Sequence, residues 1–184
     1  LSFISVSKKA WEAAEKSNLP KFYLNLKSYK KSLLTNSNPY TPAVNLVFAL
    51  DESLKMMREE GLDNIFLRHD KHKLAMSNAV KALNLKLFAD ERYLSPAVTA
   101  IQTGEIDAEE FRKTIKNKFD ILLAGGQDHL KGKIFRVGHL GYINDRDIIT
   151  VISAISKTLL DLGKITAQEA GESLSVASKY LEKN

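Results

Sequence analysis

Gly125-Gly126, followed by Gly132-Lys133-Ile134-Phe135-Arg136-Val137-Gly138, is the stretch on which the fold turns. Its second part is a short β-branched and aromatic run closed by glycine at both ends, the composition of a strand. Ile121-Leu122-Leu123-Ala124, which runs into the paired glycines, has the same character, as do Leu85-Lys86-Leu87-Phe88 and Ala97 to Ile101. Between the two pairs, Asp107 to Lys118 is a predicted helix, with Asp107 as cap and Glu110 three residues later. Two more helices follow, about Asp145 to Leu162 and Thr166 to Lys179, the latter capped by Thr166 with Glu169 in place. A β-β-α-β-β-α-α order predicts an α/β fold, α+β-like in this C-terminal part, with helices packed on a sheet.

Upstream the punctuation is helical. Thr41-Pro42 opens an apolar-periodic segment through Val44, Val47, Phe48, Leu54 and Met57 that stops at Gly61. Threonine at the cap, proline at the first turn and glycine after the last fit one helix. A second spans about Asp63 to Leu83, with Ile65, Phe66, Leu74, Val80 and Leu83 on its apolar side. The joint near Gly61 is the predicted boundary between a domain of residues 1–61 and one of residues 62–184. Ahead of these, Leu1 to Ser7 and the run Phe22, Leu24, Leu26 alternate with strand period, and Ser7 is placed to cap a helix from Lys8 to Ser17.

Composition narrows the function classes. The chain has 184 residues, 44 % hydrophobic and 27 % charged, which is globular and excludes disorder or a collagen-like repeat. No apolar run reaches the roughly 18 residues of a membrane span. Cysteine is absent, so this segment offers no disulfide, no thiolate nucleophile and no Cys-ligated zinc, iron–sulfur or nickel–iron site. The net charge of +5 comes from 27 Lys and Arg against 22 Asp and Glu. The lysines are spread along the chain, which favours a solvated surface over a nucleic-acid groove. Leu1-Ser-Phe-Ile-Ser-Val-Ser lacks the basic and apolar regions of a signal peptide, and a cytoplasmic setting is the expectation. Because the chain opens on Leu1 in strand-like sequence, it is expected to be a piece of a longer protein.

Few residues carry candidate chemistry. Arg136 sits inside a strand in a chain with only six arginines among its 27 basic residues. A guanidinium matches a carboxylate with two parallel hydrogen bonds, which lysine cannot do; the competing reading is an edge strand displaying an arginine outward. Thr41, as a helix cap, marks a candidate phosphate site. Gly125-Gly126 is a weak anion concavity whose plainer reading is a loop with positive φ. His69 and His72 share a helix face but stand among Arg68, Lys71 and Lys73, so a solvated face is expected instead of a metal site. His129 reads as an exposed loop residue, and His139 has no serine or aspartate at triad spacing.

Four stretches in order resemble the C-terminal half of a class V aminotransferase of fold type I, closest to the alanine–glyoxylate/serine–pyruvate group. They are Leu1 to Ser7; Tyr40-Thr41-Pro42-Ala43-Val44 followed by Ala49 to Leu54; Glu60-Gly61-Leu62; and Gly125-Gly126 leading to Gly132 through Gly141. The resemblance implies that residues 1–61 end a large cofactor domain and residues 62–184 form the small C-terminal domain. It implies a pyridoxal 5′-phosphate-dependent homodimer moving an amino group between alanine or serine and glyoxylate or pyruvate. It places Arg136 on the substrate carboxylate, Thr41 on the cofactor phosphate of the other subunit, and Tyr40, the aromatic residue just before it, as a second cofactor-binding residue. The Schiff-base lysine of such enzymes lies upstream of the segment matching Leu1-Ser2-Phe3, so these residues alone are expected to be inactive. The alternative is a non-catalytic dimerisation or interaction module on the same fold.

Overall fold

A computed structural model describes residues 1–182. The chain divides into two compact units, Leu1–Glu60 and Gly61–Asn184.

The first unit holds three helices: α1 (Lys8–Lys16), α2 (Leu26–Leu33) and α3 (Val44–Glu60). Ser7 caps α1 as its sequence predicts, its Oγ accepting from the Ala10 N–H at 3.2 Å. The two expected strands do not form: residues 1–7 are irregular, and Leu26 begins α2 instead of closing a strand. Period-two alternation suits a half-buried pleated surface, and this unit supplies no strand to pair with. Phe3, Ile4, Phe22 and Leu24 therefore stand in solvent. α3 also starts later than its punctuation suggests. The Val44 N–H is taken by the Pro42 carbonyl and the first helical bond runs from Val47 N–H to Ala43 O, so Thr41 precedes the helix and does not cap it.

The second unit is built as its sequence order implies. Helix α4 (Leu62–Ala82) leads into strands β1 (Lys86–Leu87) and β2 (Val98–Gln102), helix α5 (Ala108–Phe119), strands β3 (Ala124–Gly125) and β4 (Ile134–Gly138), and helices α6 (Asp145–Asp161) and α7 (Ala167–Leu181). The strands form one antiparallel sheet in the order β1-β2-β4-β3, with Ile101 opposite Phe135 and Ala100 opposite Arg136. Only the last residue of the expected Ile121–Ala124 strand pairs, because β3 is a two-residue edge.

Residues directly opposite in an antiparallel pair share a face. Thr99, Ile101, Phe135 and Val137 thus point one way, and all four are buried. Phe135 meets Phe111 of α5 with ring centroids 5.2 Å apart. Met76, Val80, Ile115, Ile152, Ile155 and Leu159 belong to the same core. α4 differs from its expected pattern: Val80 and Leu83 are buried, but Phe66 is 64 % exposed while His72 is fully enclosed. Among the described residues no helix is long and apolar enough to cross a membrane.

Candidate functional site

Arg136 lies at the middle of β4, an interior strand, with Ala100 opposite it on β2 and Ala124 opposite it on β3. The face it shares with them is turned away from the core and partly open to solvent. The edge-strand explanation for this arginine therefore fails: the strand is flanked on both sides, and the side chain emerges between two methyl groups that leave it room. Its Nε–H donates to the Gly125 carbonyl at 3.0 Å. The two terminal nitrogens have no hydrogen-bond partner among the described residues. One donor is thus tethered and the outer donors are uncommitted, an arrangement suited to a planar anion.

The paired glycines serve close approach instead of a turn. Neither has positive φ. A Cβ on Gly126 would come within 2.1 Å of the Leu130 carbonyl oxygen, and one on Gly125 within 2.6 Å of Arg112 Nη1. The anion-concavity reading and the positive-φ reading both give way to this packing. Arg112 itself escaped the sequence reading. Its Nε–H donates to Leu123 O at 2.7 Å, and its Nη1 reaches both carboxylate oxygens of Glu109 at 2.9 Å. The i,i+3 Glu–Arg spacing on α5 was a visible signal, but nothing in the sequence tied it to Gly125.

Tyr40 and Thr41 belong to the first unit. Together with Tyr23, Asn38, Pro39 and Pro42 they line an open, shallow concavity. Tyr40 sits in an aromatic cluster, its ring centroid 4.7 Å from that of Tyr23 and 5.7 Å from that of Phe22. Its hydroxyl donates to Phe22 O at 3.0 Å. Thr41 is exposed and its hydroxyl is unengaged among the described residues. As a donor set for a phosphate, the concavity offers the Thr41 hydroxyl beside the Asn38 amide, and no lining cation. It fits a single contact to a cofactor phosphate, the remaining contacts coming from elsewhere.

Among the described residues no group of three or more His, Cys, Asp or Glu is placed to hold a metal ion. The solvated-face reading is right for neither ring on α4. His69 bonds the Ile65 carbonyl at 2.8 Å and is half-buried. His72 is fully buried, its Nε2 at 2.8 Å from Asp145 Oδ1, and its Nδ1 has no partner. Burial pushes its pKa below the ordinary value despite the Asp145 carboxylate, which works the other way. Burial also raises Asp145, but hydrogen bonds from His72 and Lys71 leave it below the usual carboxylate range. His139, at the end of β4, bonds Thr99 Oγ1 at 2.9 Å and the Pro96 carbonyl at 3.1 Å, and burial pushes it down to about 4. These are structural histidines that tie α4 to α6 and β2 to the end of β4. His129 is exposed, as expected.

No family model matches the chain. It is 53 % identical to the soluble hydrogenase 42 kDa subunit of Anabaena cylindrica over 89 % of its own length and 43 % of that protein. It is 35 % identical to the serine–glyoxylate aminotransferase of Methylorubrum extorquens over 100 % of its own length and 47 % of that enzyme. Superposed on the crystal structure of the ureidoglycine–glyoxylate aminotransferase of Bacillus subtilis, it gives a TM-score of 0.86 at 29 % identity over 96 % of its length. The chain is similar to the class V pyridoxal-phosphate-dependent aminotransferases. It matches their C-terminal portion, spanning a little under half the length of these relatives. Aminotransferases of this family depend on pyridoxal phosphate. The hydrogenase name of the first relative finds no counterpart in cysteine ligation here, since these residues include no cysteine and supply no thiolate to a metal centre.

Proposed function

We propose that these residues act as the C-terminal part of a transaminase that moves an amino group between a small amino acid, alanine or serine, and a 2-oxo acid, glyoxylate or pyruvate. In this reading Leu1–Glu60 ends the large cofactor domain and the second unit is the small domain. The observation that carries it is Arg136: a guanidinium on an interior strand, between two alanines, with its outer donors uncommitted. Every substrate and product of such a reaction has an α-carboxylate, and a bidentate guanidinium is the group that reads one. Relatives named for glyoxylate support the choice of acceptor.

Pyridoxal phosphate, when bound, supplies the electron sink that amino exchange needs. The chain's own residues bind and orient. Arg136 fixes the carboxylate end of the substrate, which sets the direction of its α-carbon. Thr41 donates its hydroxyl to the cofactor phosphate. Tyr40, its own hydroxyl held by Phe22 O, fixes the loop that presents Thr41. The apolar surface of the first unit, Val44, Val47 and Phe48 among it, suits a homodimer in which such a contact crosses between subunits. These 184 residues by themselves provide the clamp and one phosphate contact but not the lysine that carries the cofactor, and they do not turn over alone.

The test is amino transfer from alanine or serine to glyoxylate, followed as glycine formed, by the complete protein that carries this segment. Arg136→Lys is expected to raise KM for both amino and oxo acid by on the order of 100-fold, since the charge remains but the fork is lost. Unchanged KM values in that variant would remove the proposal. The segment alone, given pyridoxal phosphate, is expected to form no glycine.

A further inference from the structure

The environment of Arg136 decides which of its donors a ligand can meet. A guanidinium presents two bidentate edges, one made by Nε and a terminal nitrogen and one by the two terminal nitrogens. Here the Nε–H is spent on Gly125 O at 3.0 Å. That carbonyl belongs to a two-residue edge strand, which has little sheet of its own to hold it in place. β4 pairs with it on one side, the Gly126 N–H donating to Ile134 O at 3.1 Å, and α5 packs against its backbone on the other. Arg112 grips Leu123 O from one side at 2.7 Å, and Glu109 fixes Arg112 through both carboxylate oxygens. The backbone of Gly125 lies directly against this ion pair: an added Cβ would meet Arg112 Nη1 at 2.6 Å and Glu109 Oε1 at 2.7 Å. The pair is only partly exposed, with side-chain accessibilities of 22 % for Arg112 and 37 % for Glu109.

Resting on the carboxylate reading of Arg136, we propose that Glu109 and Arg112 are positioning residues that hold the Gly125 carbonyl on Arg136 Nε and so commit the guanidinium to meeting its carboxylate end-on, through its two terminal nitrogens. The side-on edge is closed by the protein itself. An α-carboxylate then approaches along the long axis of the guanidinium, which fixes where the α-carbon lies. Lysine at position 112 keeps the charge beside Glu109 but cannot hold Leu123 O and the carboxylate in one plane, so the carbonyl is released. A side chain at position 125 pushes the ion pair off the strand with the same result.

The first measurement uses the 184-residue chain, 15N-labelled, and reads solvent exchange of the arginine Nε–H protons, with Arg136 assigned by Arg136→Lys. Arg136 is expected to exchange on the order of tenfold more slowly than Arg146, whose side chain has no partner among the described residues. In Arg112→Lys and Gly125→Ala that difference is expected to vanish, and Glu109→Gln, the mildest change, to halve it roughly. The second measurement uses the complete protein: Arg112→Lys is expected to raise KM for the amino acid about fivefold with kcat within about twofold. Retained Arg136 protection in folded Arg112→Lys or Gly125→Ala overturns the positioning role and leaves the carboxylate reading standing. Should either variant fail to fold, Glu109→Gln decides by the same readout. An unaltered KM in Arg136→Lys overturns the carboxylate reading on its own, whatever the exchange rates show.

Discussion

α3 and α6 are both 17-residue helices, with nine apolar residues in the first and eight in the second. In α6 seven residues are buried; in α3 none is. Phe48 of α3 is 70 % exposed while Ile155 of α6 is 1 % exposed. The local signals that make a helix are thus equally strong in the two units, and only the second contains the elements that cover its apolar stripe. The contrast extends to the whole of Leu1–Glu60, which has no buried side chain. A helix without burial rests on propensity alone and is marginal in water, so the two units differ in where their stability comes from.

Hydrogen exchange gives the largest expected contrast. Amides of α6 between Ile152 and Leu159 are expected to be protected by on the order of 1,000-fold or more, those of α3 by about tenfold or less. Equal protection in the two helices would break the comparison outright. Next comes core truncation. Phe135→Ala, at a fully buried site, is expected to cost about 3–5 kcal/mol in denaturant unfolding. Phe48→Ala removes the same group from a surface and is expected to change stability by about 0.5 kcal/mol or less.

The buried histidines make the stability of the second unit pH-dependent and leave the first untouched. A histidine whose folded pKa lies below its unfolded value binds a proton more readily when unfolded, so stability is complete above the unfolded pKa and falls as pH drops. For His139 the window runs from its ordinary value of 6.5 down to about 4. Burial is the cause, and the full loss is about 3 kcal/mol. His72 shifts in the same direction for the same reason. Urea midpoints of the second unit at pH 7.5 and 4.5 measure the slope, and His139→Asn is expected to flatten it. A midpoint that rises on acidification would show that these rings carry charge in the folded state.

How much of this was legible in the sequence follows the same division. In the second unit the strand and helix order, the Asp107 and Thr166 caps and the place of Arg136 inside a strand could all be read, because each is a local signal that the tertiary structure then uses. The burial of His72 could not: flanking Lys71 and Lys73 argue for solvent, and only Asp145, 73 residues later, makes its burial tolerable. Nor could the bonds from Arg112 to Leu123 O and from Arg136 to Gly125 O, which tie side chains of α5 and β4 to backbone carbonyls that no sequence pattern encodes. In the first unit the alternation at Leu1–Ser7 misled, since a period-two run becomes a strand only where another strand can pair with it. Thr41-Pro42 misled by two residues, the Pro42 carbonyl taking Val44 N–H in a turn ahead of the helix.

Helix caps give the smallest contrast and the most direct one, because the same deletion can be made in both units. Thr166 Oγ1 accepts from Glu169 N–H at 3.2 Å while the Thr166 N–H donates to Glu169 Oε2 at 2.7 Å, a closed capping box on α7. Ser7 makes the corresponding hydroxyl contact to Ala10 on α1 at the same 3.2 Å. Removing a cap costs about 1 kcal/mol where the helix is part of a cooperative unit. α7 is such a helix, with Ser173 and Ala177 buried against the rest of the unit, and Thr166→Ala is expected to lower its denaturation midpoint accordingly. α1 buries nothing, so Ser7→Ala is expected to reduce helix content slightly by circular dichroism and leave that midpoint where it was. A shared drop in both variants would mean that α1 unfolds with the core, and the two units would then have to be treated as one.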